Sequence, residues 1–375
     1  MIAAKELKVA FVITGLGVGG AERVVVDLAD GLVSRGHDVL LVYLTGQATV
    51  QPKNSAIKIV GLGLRSVLGV FGAYRLLRNL LRTFNPDVVH GNMVHANILV
   101  RLLRLTLPLP CVITTAHNSN EGSWLRMLAY RWTDRLADLS TNVSEEAVAA
   151  YLQKTAVKPG RMVAVHNGVD TEKYRFLESA RREVRRELGV PDGTTLLLAV
   201  GRLNKQKDYP NLFHALSRLG GPASGCQLFL VGDGVLRAAL AAQVDALGLQ
   251  SCVHFLGIRH DVARLYSAAD VFVLSSAWEG FSLVTAEAMA CERVVVVTDC
   301  GGVGEVVGDA GYLVPPRQPE ALAESLRAAI SMTAEEKRHL GKVARVRVCR
   351  LYSVDAALEK WVPLYFGCLG ETTSI

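Results

Sequence analysis

The chain has 375 residues, of which 50% are hydrophobic and 20% charged, so it is too long for one ordinary α/β domain and too apolar to be disordered. It shows neither a basic segment followed by an apolar stretch near its start nor about eighteen consecutive apolar residues, and we therefore expect no export signal and no membrane-spanning helix. The net charge of +6 belongs to the first half, because residues 1–175 hold 20 basic and 13 acidic side chains, against 21 and 22 in the remainder.

Apolar runs of strand length alternate with helical patterns along the whole chain, which is typical of parallel sheets with crossover helices. In the first half we predict strands at residues 9–14, 39–44, 57–60, 88–91, 111–115, 139–143 and 162–165. A polar, charged stretch at 167–186 is interpreted as a linker. A second series of strands is predicted at 196–200, 227–231, 253–255, 271–274, 294–297 and 312–314. The pattern predicts two doubly wound α/β domains, at 1–175 and 176–353, followed by a last helix at about 354–370.

The seven cysteines are scattered along the chain, mostly within apolar runs, and none has the CxxC spacing of a metal or redox site. An odd, scattered set favours buried thiols in a reducing compartment over a disulfide framework. We therefore expect a cytoplasmic protein.

Residues 15–20 read Gly-Leu-Gly-Val-Gly-Gly, directly after the first predicted strand and before a helix that opens at Ala21. Backbone amides in such a loop can approach a polar or anionic ligand closely. The loop also satisfies the GxGxxG pattern of dinucleotide sites, but the second strand ends in Leu-Thr-Gly at 44–46 and offers no acidic residue for a ribose. A purely structural turn would not need so many glycines. We therefore favour a ligand-facing loop.

The first strand of the second series leads into Val-Gly-Arg-Leu-Asn-Lys-Gln-Lys at residues 200–207. Arg202 can supply a guanidinium fork and Lys207 a point charge to the same diphosphate. Taken alone, the segment is equally compatible with an ordinary basic surface loop.

Residues 278–290 read Trp-Glu-Gly-Phe-Ser-Leu-Val-Thr-Ala-Glu-Ala-Met-Ala, where a strand leads through a short loop into a helix. The first amides of that helix, at about residues 282–284, form a suitable diphosphate site. Glu287 lies in an apolar stretch and needs a partner, such as the two hydroxyls of a ribose. Either Glu279 or Glu287 alone could be a solvated charge. Together with the basic loop at 202–207, they favour a diphosphate-containing ligand.

The sequence resembles the retaining glycosyltransferases of family 4, which have the GT-B architecture of two Rossmann-like, doubly wound parallel-sheet domains facing across a cleft. The resemblance covers nearly the whole chain, and the paired glutamates eight residues apart are its most specific feature. The matching segments are Gly-Ala-Glu at 20–22, Thr-Ala-His at 115–117, His-Asn-Gly-Val-Asp at 166–170, Gly-Arg-Leu at 201–203 with Lys207, Gly-Asp-Gly at 232–234, Phe-Leu-Gly at 255–257, and Glu279 with Glu287.

The resemblance implies that the domain at 1–175 binds the acceptor, that the domain at 176–353 binds the nucleotide sugar, and that the last helix, at about 354–370, packs back on the first domain. It also implies a role for each matching residue. Glu287 would bind the donor ribose, while Arg202 and Lys207 would bind the diphosphate. The catalytic residues would be Glu279, near the reacting carbon of the transferred hexose, and His117, across the cleft against the same sugar. Without the family, His117 is more simply a structural hydrogen-bond partner.

The remaining donor contacts implied by the resemblance come from backbone-rich segments. They are the amides of Phe281, Ser282 and Leu283 around the sugar and phosphates, Gly257 and Ile258 beside the base, and Gly19 and Gly20 in the first glycine-rich loop. The chain departs from many family members at Ser282, where they carry Gly or Pro, and its hydroxyl is expected to add a contact or shift the sugar preference.

The resemblance implies a hexose or N-acetylhexosamine transfer from a nucleotide diphosphate sugar, with retention of configuration by front-face attack. UDP-sugars are the preferred donors and GDP-mannose is the alternative. The cations and helix N-terminus can neutralise the leaving diphosphate, and no DxD pair is present, so neither a metal nor another cofactor is expected. The implied acceptor is a lipid-linked saccharide in bacterial O-antigen, lipopolysaccharide or capsule assembly.

Two helical stretches, at residues 74–82 and 100–105, combine apolar and arginine faces within the basic half. They could touch the inner face of the cytoplasmic membrane, or they could be core helices whose arginines reach water past their apolar stems. Both interpretations stay open.

Other protein classes fit the sequence less well. A nucleotide-sugar epimerase could share the architecture, but the YxxxK motif of the dinucleotide kind is missing. A two-lobed sugar-binding protein would normally be exported. Nucleic-acid binding would use aromatics interleaved with basic runs, and only 6% of the residues are aromatic.

Overall fold

A computed structural model describes residues 5–119 and 124–370. The strands are, in chain order, β1 (Lys8–Gly15), β2 (Asp38–Thr45), β3 (Lys58–Gly61), β4 (Val88–Asn92), β5 (Cys111–Ala116), β6 (Leu139–Asn142), β7 (Met162–Ala164), β8 (Thr195–Val200), β9 (Cys226–Val231), β10 (Val253–Gly257), β11 (Val271–Leu274), β12 (Val294–Thr298) and β13 (Tyr312–Val314). Each predicted strand is present, with its ends shifted by two residues at most.

The α-helices are, in chain order, α1 (Gly20–Ser34), α2 (Val70–Phe84), α3 (Val94–Leu103), α4 (Trp124–Thr133), α5 (Glu145–Gln153), α6 (Glu178–Glu187), α7 (Tyr209–Arg218), α8 (Arg237–Ala246), α9 (Val262–Ala268), α10 (Leu283–Ala290), α11 (Val303–Val307), α12 (Pro319–Ser331), α13 (Ala334–Tyr352) and α14 (Val354–Cys368). Short 3-10 turns lie at Val67–Gly69, Asp134–Leu136, Lys205–Lys207 and Gly221–Ser224. Among the described residues, none of these helices has both the length and the apolar character that crossing a bilayer requires.

The described residues form two compact units, one of residues 5–119, 124–168 and 354–370 and one of residues 169–353. The boundary predicted after residue 175 therefore lies a few residues inside the second unit. The last helix, α14, belongs to the first unit and packs on α1.

The first unit contains a seven-stranded parallel sheet in the order β3-β2-β1-β4-β5-β6-β7. Successive residues of a strand point to opposite faces, and β1 shows this directly. Phe11 and Ile13 pack in one core with α1 and α14, whereas Ala10 and Val12 pack in another with α2 and α3. The strand order reverses between β1 and β4, and the loops that leave these two strands diverge there.

The second unit contains a six-stranded parallel sheet in the order β10-β9-β8-β11-β12-β13. Its strands are covered on both faces, which explains runs such as the four consecutive valines of β12, all buried. Here the strand order reverses between β8 and β11.

The predicted linker is partly helical. Its second half forms α6, which packs against α9. Ala180 and Val184 lie one turn apart and are both buried, so two small apolar residues are sufficient to dock an otherwise highly charged helix.

The prediction that all cysteines are thiols is wrong for two of them. Cys111 on β5 and Cys368 at the end of α14 form a disulfide across 257 residues of sequence. Their spacing gave no indication of this, because the pairing depends on α14 returning to the first unit. Cys226, Cys252, Cys291 and Cys300 are buried thiols as predicted.

Candidate active site

The loops after β8 and β11 carry most of the predicted donor-binding residues. These strands are neighbours in the sheet, and the chain leaves them in opposite directions at the point where the strand order reverses. Ligands of open α/β sheets bind at such a point, outside the carboxyl ends of the strands. The topology therefore places the two loops on opposite sides of one crevice.

The loop after β8 is fixed by close backbone contacts with the loop after β9. The Leu203 amide donates to the Asp233 carbonyl at 3.0 Å, and the Tyr209 hydroxyl donates to the Gly201 carbonyl at 3.0 Å. Gly232 has a φ of +132°, and a Cβ there would lie 2.1 Å from the Gly201 oxygen. Only glycine permits this approach.

Arg202 extends from this fixed backbone into solvent. Its side chain is exposed and forms no hydrogen bond or ion pair with the residues that the structure describes. A guanidinium held this way can bind a phosphate without first breaking an internal contact.

Lys207 and Glu279 form a buried ion pair between the two loops. Lys207 Nζ lies 2.7 Å from Glu279 Oε1, and the side chains are 13% and 8% exposed. The Ser276 hydroxyl donates to the same oxygen at 2.7 Å, and the Gln206 amide donates to the other at 3.3 Å. Three donors thus fix the carboxylate that the family resemblance would place near the reacting sugar.

The helix α10 begins at the crevice with an unusual N-cap. Ser282 has left-handed backbone angles, φ 61° and ψ 71°, and its hydroxyl lies 2.8 Å from that of Thr285 instead of capping the helix amides. The first turn of α10 therefore has no side-chain cap, and its amides and positive dipole end suit an anion. Phe281 is buried against the ring of Tyr352 and anchors this turn.

Glu287 lies one turn into α10 and is half-buried. The Tyr266 hydroxyl donates to its carboxylate at 3.0 Å. Burial, and then the negative charge of Glu287, raise the pKa of Tyr266 well above its usual range, so this hydroxyl stays protonated and remains a donor. Glu287 was expected to need a hydrogen-bond partner because it lies in an apolar stretch. Tyr266, 21 residues earlier, supplies one such hydrogen bond.

The residues predicted beside the base end β10. Gly257 has a φ of +68° and its carbonyl accepts the Gly232 amide at 2.8 Å, which ties the loops after β9 and β10 together. Ile258 follows and is 62% exposed. It offers an apolar surface at the same edge of the sheet as Arg202.

In the first unit, the glycine-rich loop and His117 follow strands on either side of its own reversal point. Gly19 precedes α1, and the Glu22 carboxylate lies so close that a Cβ at Gly19 would be 2.2 Å from it. Gly20 is the first residue of α1. His117 Nε2 lies 3.0 Å from Asn92 Oδ1, and its Nδ1 is buried without a partner among the described residues. Burial lowers the pKa of His117 to about 4.

Sequence reasoning missed the residues that support the predicted ones. They are Asn92 beside His117, Ser276 and Gln206 beside Glu279, and Tyr266 beside Glu287. Only Gln206 lies inside a segment that the motifs singled out, and nothing in the sequence connected Tyr266 to Glu287.

Two histidines of the first unit, His90 and His117, have strongly lowered pKa values, and these make its stability depend on pH. Burial lowers the pKa of His90 to about 3 and that of His117 to about 4, from 6.5. The unfolded chain then binds protons that the folded chain does not, so the free energy of unfolding decreases as pH falls from 6.5 towards 4. Each imidazole should contribute about 1.4 kcal/mol per pH unit. Urea unfolding from pH 7 to 4.5 should show a shallower pH slope for His117→Asn than for the wild type, and equal slopes would contradict the argument.

Comparison with known proteins identifies the family. The profile "Glycosyl transferases group 1" matches residues 180–347, and "Glycosyltransferase Family 4" matches residues 18–173. A GDP-mannose-dependent alpha-mannosyltransferase of Mycobacterium tuberculosis is 30% identical over 344 residues, covering 82% of this chain and 84% of the relative.

Two further comparisons cover nearly the whole chain. An N-acetylgalactosamine-N,N'-diacetylbacillosaminyl-diphospho-undecaprenol 4-alpha-N-acetylgalactosaminyltransferase of Campylobacter jejuni is 25% identical, covering 89% of this chain and 93% of the relative. The crystal structure of Anabaena HepE in complex with UDP and glucose superposes with a TM-score of 0.85 at 22% identity, covering 96% of this chain and 99% of that one. The two parallel-sheet units have the GT-B fold, and the chain belongs to the group 1 glycosyltransferases of family 4.

Proposed function

We propose that this protein is a retaining glycosyltransferase that moves a hexose or N-acetylhexosamine from a UDP-sugar to a lipid-linked saccharide during assembly of a bacterial surface polysaccharide. The observation that carries the proposal is the Lys207–Glu279 pair, which joins the loops after β8 and β11 at 2.7 Å. This pair holds a carboxylate in position beside an uncapped helix N-terminus and an exposed arginine.

Departure of the nucleoside diphosphate develops negative charge on the phosphate oxygens. In the proposed mechanism, Arg202 and the first amides of α10 neutralise that charge, and the backbone that carries them is fixed before the donor binds. Lys207 adds a second cation beside Glu279. These groups supply the stabilisation that a metal provides in other transferases, so we propose a metal-independent reaction.

Glu279 acts at the sugar. Its fixed carboxylate, on a side chain that is 8% exposed, holds the transferred hexose by its hydroxyls and stabilises positive charge developing near the anomeric carbon. Front-face attack by the acceptor, assisted by the departing phosphate, then preserves the anomeric configuration. His117 is neutral at physiological pH because its pKa is about 4, and it serves as a hydrogen-bond partner of the sugar.

Glu287 binds the donor ribose. Replacing it with alanine should weaken donor binding by about 1–3 kcal/mol, since a half-buried carboxylate loses its hydrogen bonds to the diol. Isothermal titration with the nucleotide diphosphate measures this directly. Tyr266→Phe removes only the hydroxyl that orients the carboxylate. It should therefore weaken donor binding less than Glu287→Ala does. Unchanged affinity in Glu287→Ala would discard the ribose assignment.

The similar proteins support two alternative classes of sugar donor. The Anabaena protein was solved with UDP and glucose, whereas the M. tuberculosis relative is GDP-mannose-dependent. We place UDP-sugars first and keep a GDP-mannose-dependent mannosyltransferase as the alternative. The name of the C. jejuni relative specifies a diphospho-undecaprenol substrate, which supports a lipid-linked acceptor and a cytoplasmic enzyme working at the inner face of the membrane.

Slow donor hydrolysis in EDTA tests the function without knowledge of the acceptor. The chain should release free nucleotide diphosphate from its own donor among a panel of UDP- and GDP-sugars, with the metal chelated. A nucleotide-sugar 2-epimerase, the second candidate with this fold, would instead convert the sugar and keep the nucleotide attached. Loss of all turnover in EDTA would contradict the metal-independent mechanism.

A further inference from the structure

Two cysteines and an aspartate meet at one edge of the first unit's sheet. Cys111 is the first residue of β5, Cys368 is the last residue of α14, and Asp138 directly precedes β6. The two sulfur atoms and a carboxylate oxygen of Asp138 lie within 4.8 Å of one another. The path of the chain therefore gathers three groups that can each bind a metal ion.

The Asp138 carboxylate is held beside Cys111 by two donors. The Val112 amide donates to its Oδ2 at 2.8 Å, and Arg104 Nη1 lies 2.7 Å from the same oxygen. The Asp138 amide donates in turn to the Val112 carbonyl at 2.8 Å. Both side-chain contacts use Oδ2, and Oδ1 accepts no hydrogen bond from the residues that the structure describes. One carboxylate oxygen is thus available to a further ligand.

The charges of this cluster suit one divalent cation once the disulfide is open. Two thiolates and the Asp138 carboxylate carry three negative charges, and Arg104 offsets one of them, so a divalent cation neutralises the remainder. Thiolate ligands favour Zn²⁺, whereas Mg²⁺ and Ca²⁺ prefer sites made of oxygen atoms alone. The ligand set therefore indicates a soft cation.

We propose that the reduced protein binds a thiophilic divalent cation such as Zn²⁺ through Cys111, Cys368 and Asp138. Two equivalents of a thiol reduce the disulfide, so that each cysteine gains a hydrogen and the reductant leaves as its own disulfide. The cation then displaces both thiol protons and binds the two thiolates and the carboxylate, and water supplies the fourth ligand. Cys111 is buried, but Cys368 is half-buried and Asp138 is exposed, so the cation has a route of entry.

The cation keeps the end of α14 attached to the sheet when the disulfide is open. α14 packs in the core of the first unit through Trp361 and Tyr365, and the Tyr365 hydroxyl lies 2.9 Å from His90 Nδ1. Cys368 follows less than one turn later, so its link to β5 holds this last turn in place. Thiol reductants open disulfides in a reducing compartment, and the cation restores the link there.

The proposed cation lies far from the candidate active site. Cys111 begins β5, and His117 follows the other end of the same strand, which places the two about 20 Å apart at the extended rise per residue. The cation therefore has a structural role. The inference goes beyond the proposed function and does not rest on it.

Titration with Co²⁺ tests the proposal, because this ion replaces Zn²⁺ and reports thiolate ligands by its absorption. The full chain, reduced with a phosphine, should bind one Co²⁺ and show thiolate charge-transfer bands. Zn²⁺ should abolish these bands, and an excess of Mg²⁺ should not. The wild type with its disulfide restored should show no such bands, although it keeps its fold and the five other cysteines. The comparison therefore does not depend on the folding of a variant.

Three variants separate the site from the remaining thiols. Cys368→Ser and Asp138→Asn should each weaken Co²⁺ binding, the former by more than about 100-fold, since loss of even an outer hydrogen-bond partner costs about 10- to 100-fold. Cys349→Ser removes a free, half-buried thiol from α13 and should bind Co²⁺ as the wild type does. Zn²⁺ should also raise the melting temperature of the reduced wild type but not that of the oxidised protein.

Two results would overturn the proposal. One is the absence of thiolate bands in the reduced wild type, and the other is a Co²⁺ affinity that is equal in the reduced wild type and in Cys368→Ser. Donor hydrolysis in EDTA is measured on the oxidised protein, in which the disulfide excludes the cation. A failed Co²⁺ titration therefore leaves the proposed transferase chemistry standing, and failed hydrolysis leaves the metal result intact.

Discussion

Arg202→Ala is expected to lower the turnover number by about 10²- to 10³-fold, with a much smaller change in the Michaelis constant for the donor. The reason is that the charge on the leaving diphosphate is larger in the transition state than in the bound donor, so a cation aimed at it acts mainly on the barrier. Steady-state kinetics of donor hydrolysis measure both constants.

The control for Arg202 is its neighbour Lys205, which is also exposed and in the same loop. Lys205→Ala should retain most of the turnover, which would separate a positioned guanidinium from general positive charge. Arg202→Lys should recover only part of the rate, because an ammonium lacks the bidentate fork. If Arg202→Ala only raises the Michaelis constant, the transition-state role of this arginine is wrong.

Lys207→Ala is expected to destabilise the protein by about 3–5 kcal/mol, because it leaves Glu279 as a buried carboxylate without its cation. Ser276 and Gln206 also donate hydrogen bonds to the Glu279 carboxylate. These bonds reduce the destabilisation, but neither donor carries the positive charge that Lys207 supplied. Urea unfolding measures the effect. Lys207→Met combined with Glu279→Gln should recover most of the stability, since both charges are then gone. If the double variant loses as much stability as Lys207→Met and Glu279→Gln lose when measured separately and added together, the two residues are not coupled.

Much of the fold could be predicted from the sequence because buried parallel strands have continuous apolar sequences. The four valines of β12 and the apolar run of β8 can hardly belong to any other element in an alternating α/β pattern. The helix α6 was missed because its charged residues outnumber the two small apolar ones that dock it. The Cys111–Cys368 disulfide was missed because it joins segments whose proximity depends on the path of the whole chain.

The residues of the site could be predicted, but the contacts between their side chains could not. The loops after β8 and β11 were identifiable, since both follow strands and carry the charges. The direct pairing of Lys207 with Glu279 was not foreseen, because both were assigned to the donor. The tyrosine that orients Glu287 was missed for a similar reason, since Tyr266 lies on α9 and reaches α10 only through packing.

A crystal structure of the chain with UDP, grown in EDTA, would show directly where the donor nucleotide binds. The diphosphate should lie between Arg202 and the first amides of α10, with the ribose hydroxyls on Glu287 and the base beside Ile258. Nucleotide bound elsewhere, or density at this edge of the second sheet that contacts neither Arg202 nor Glu287, would contradict this arrangement.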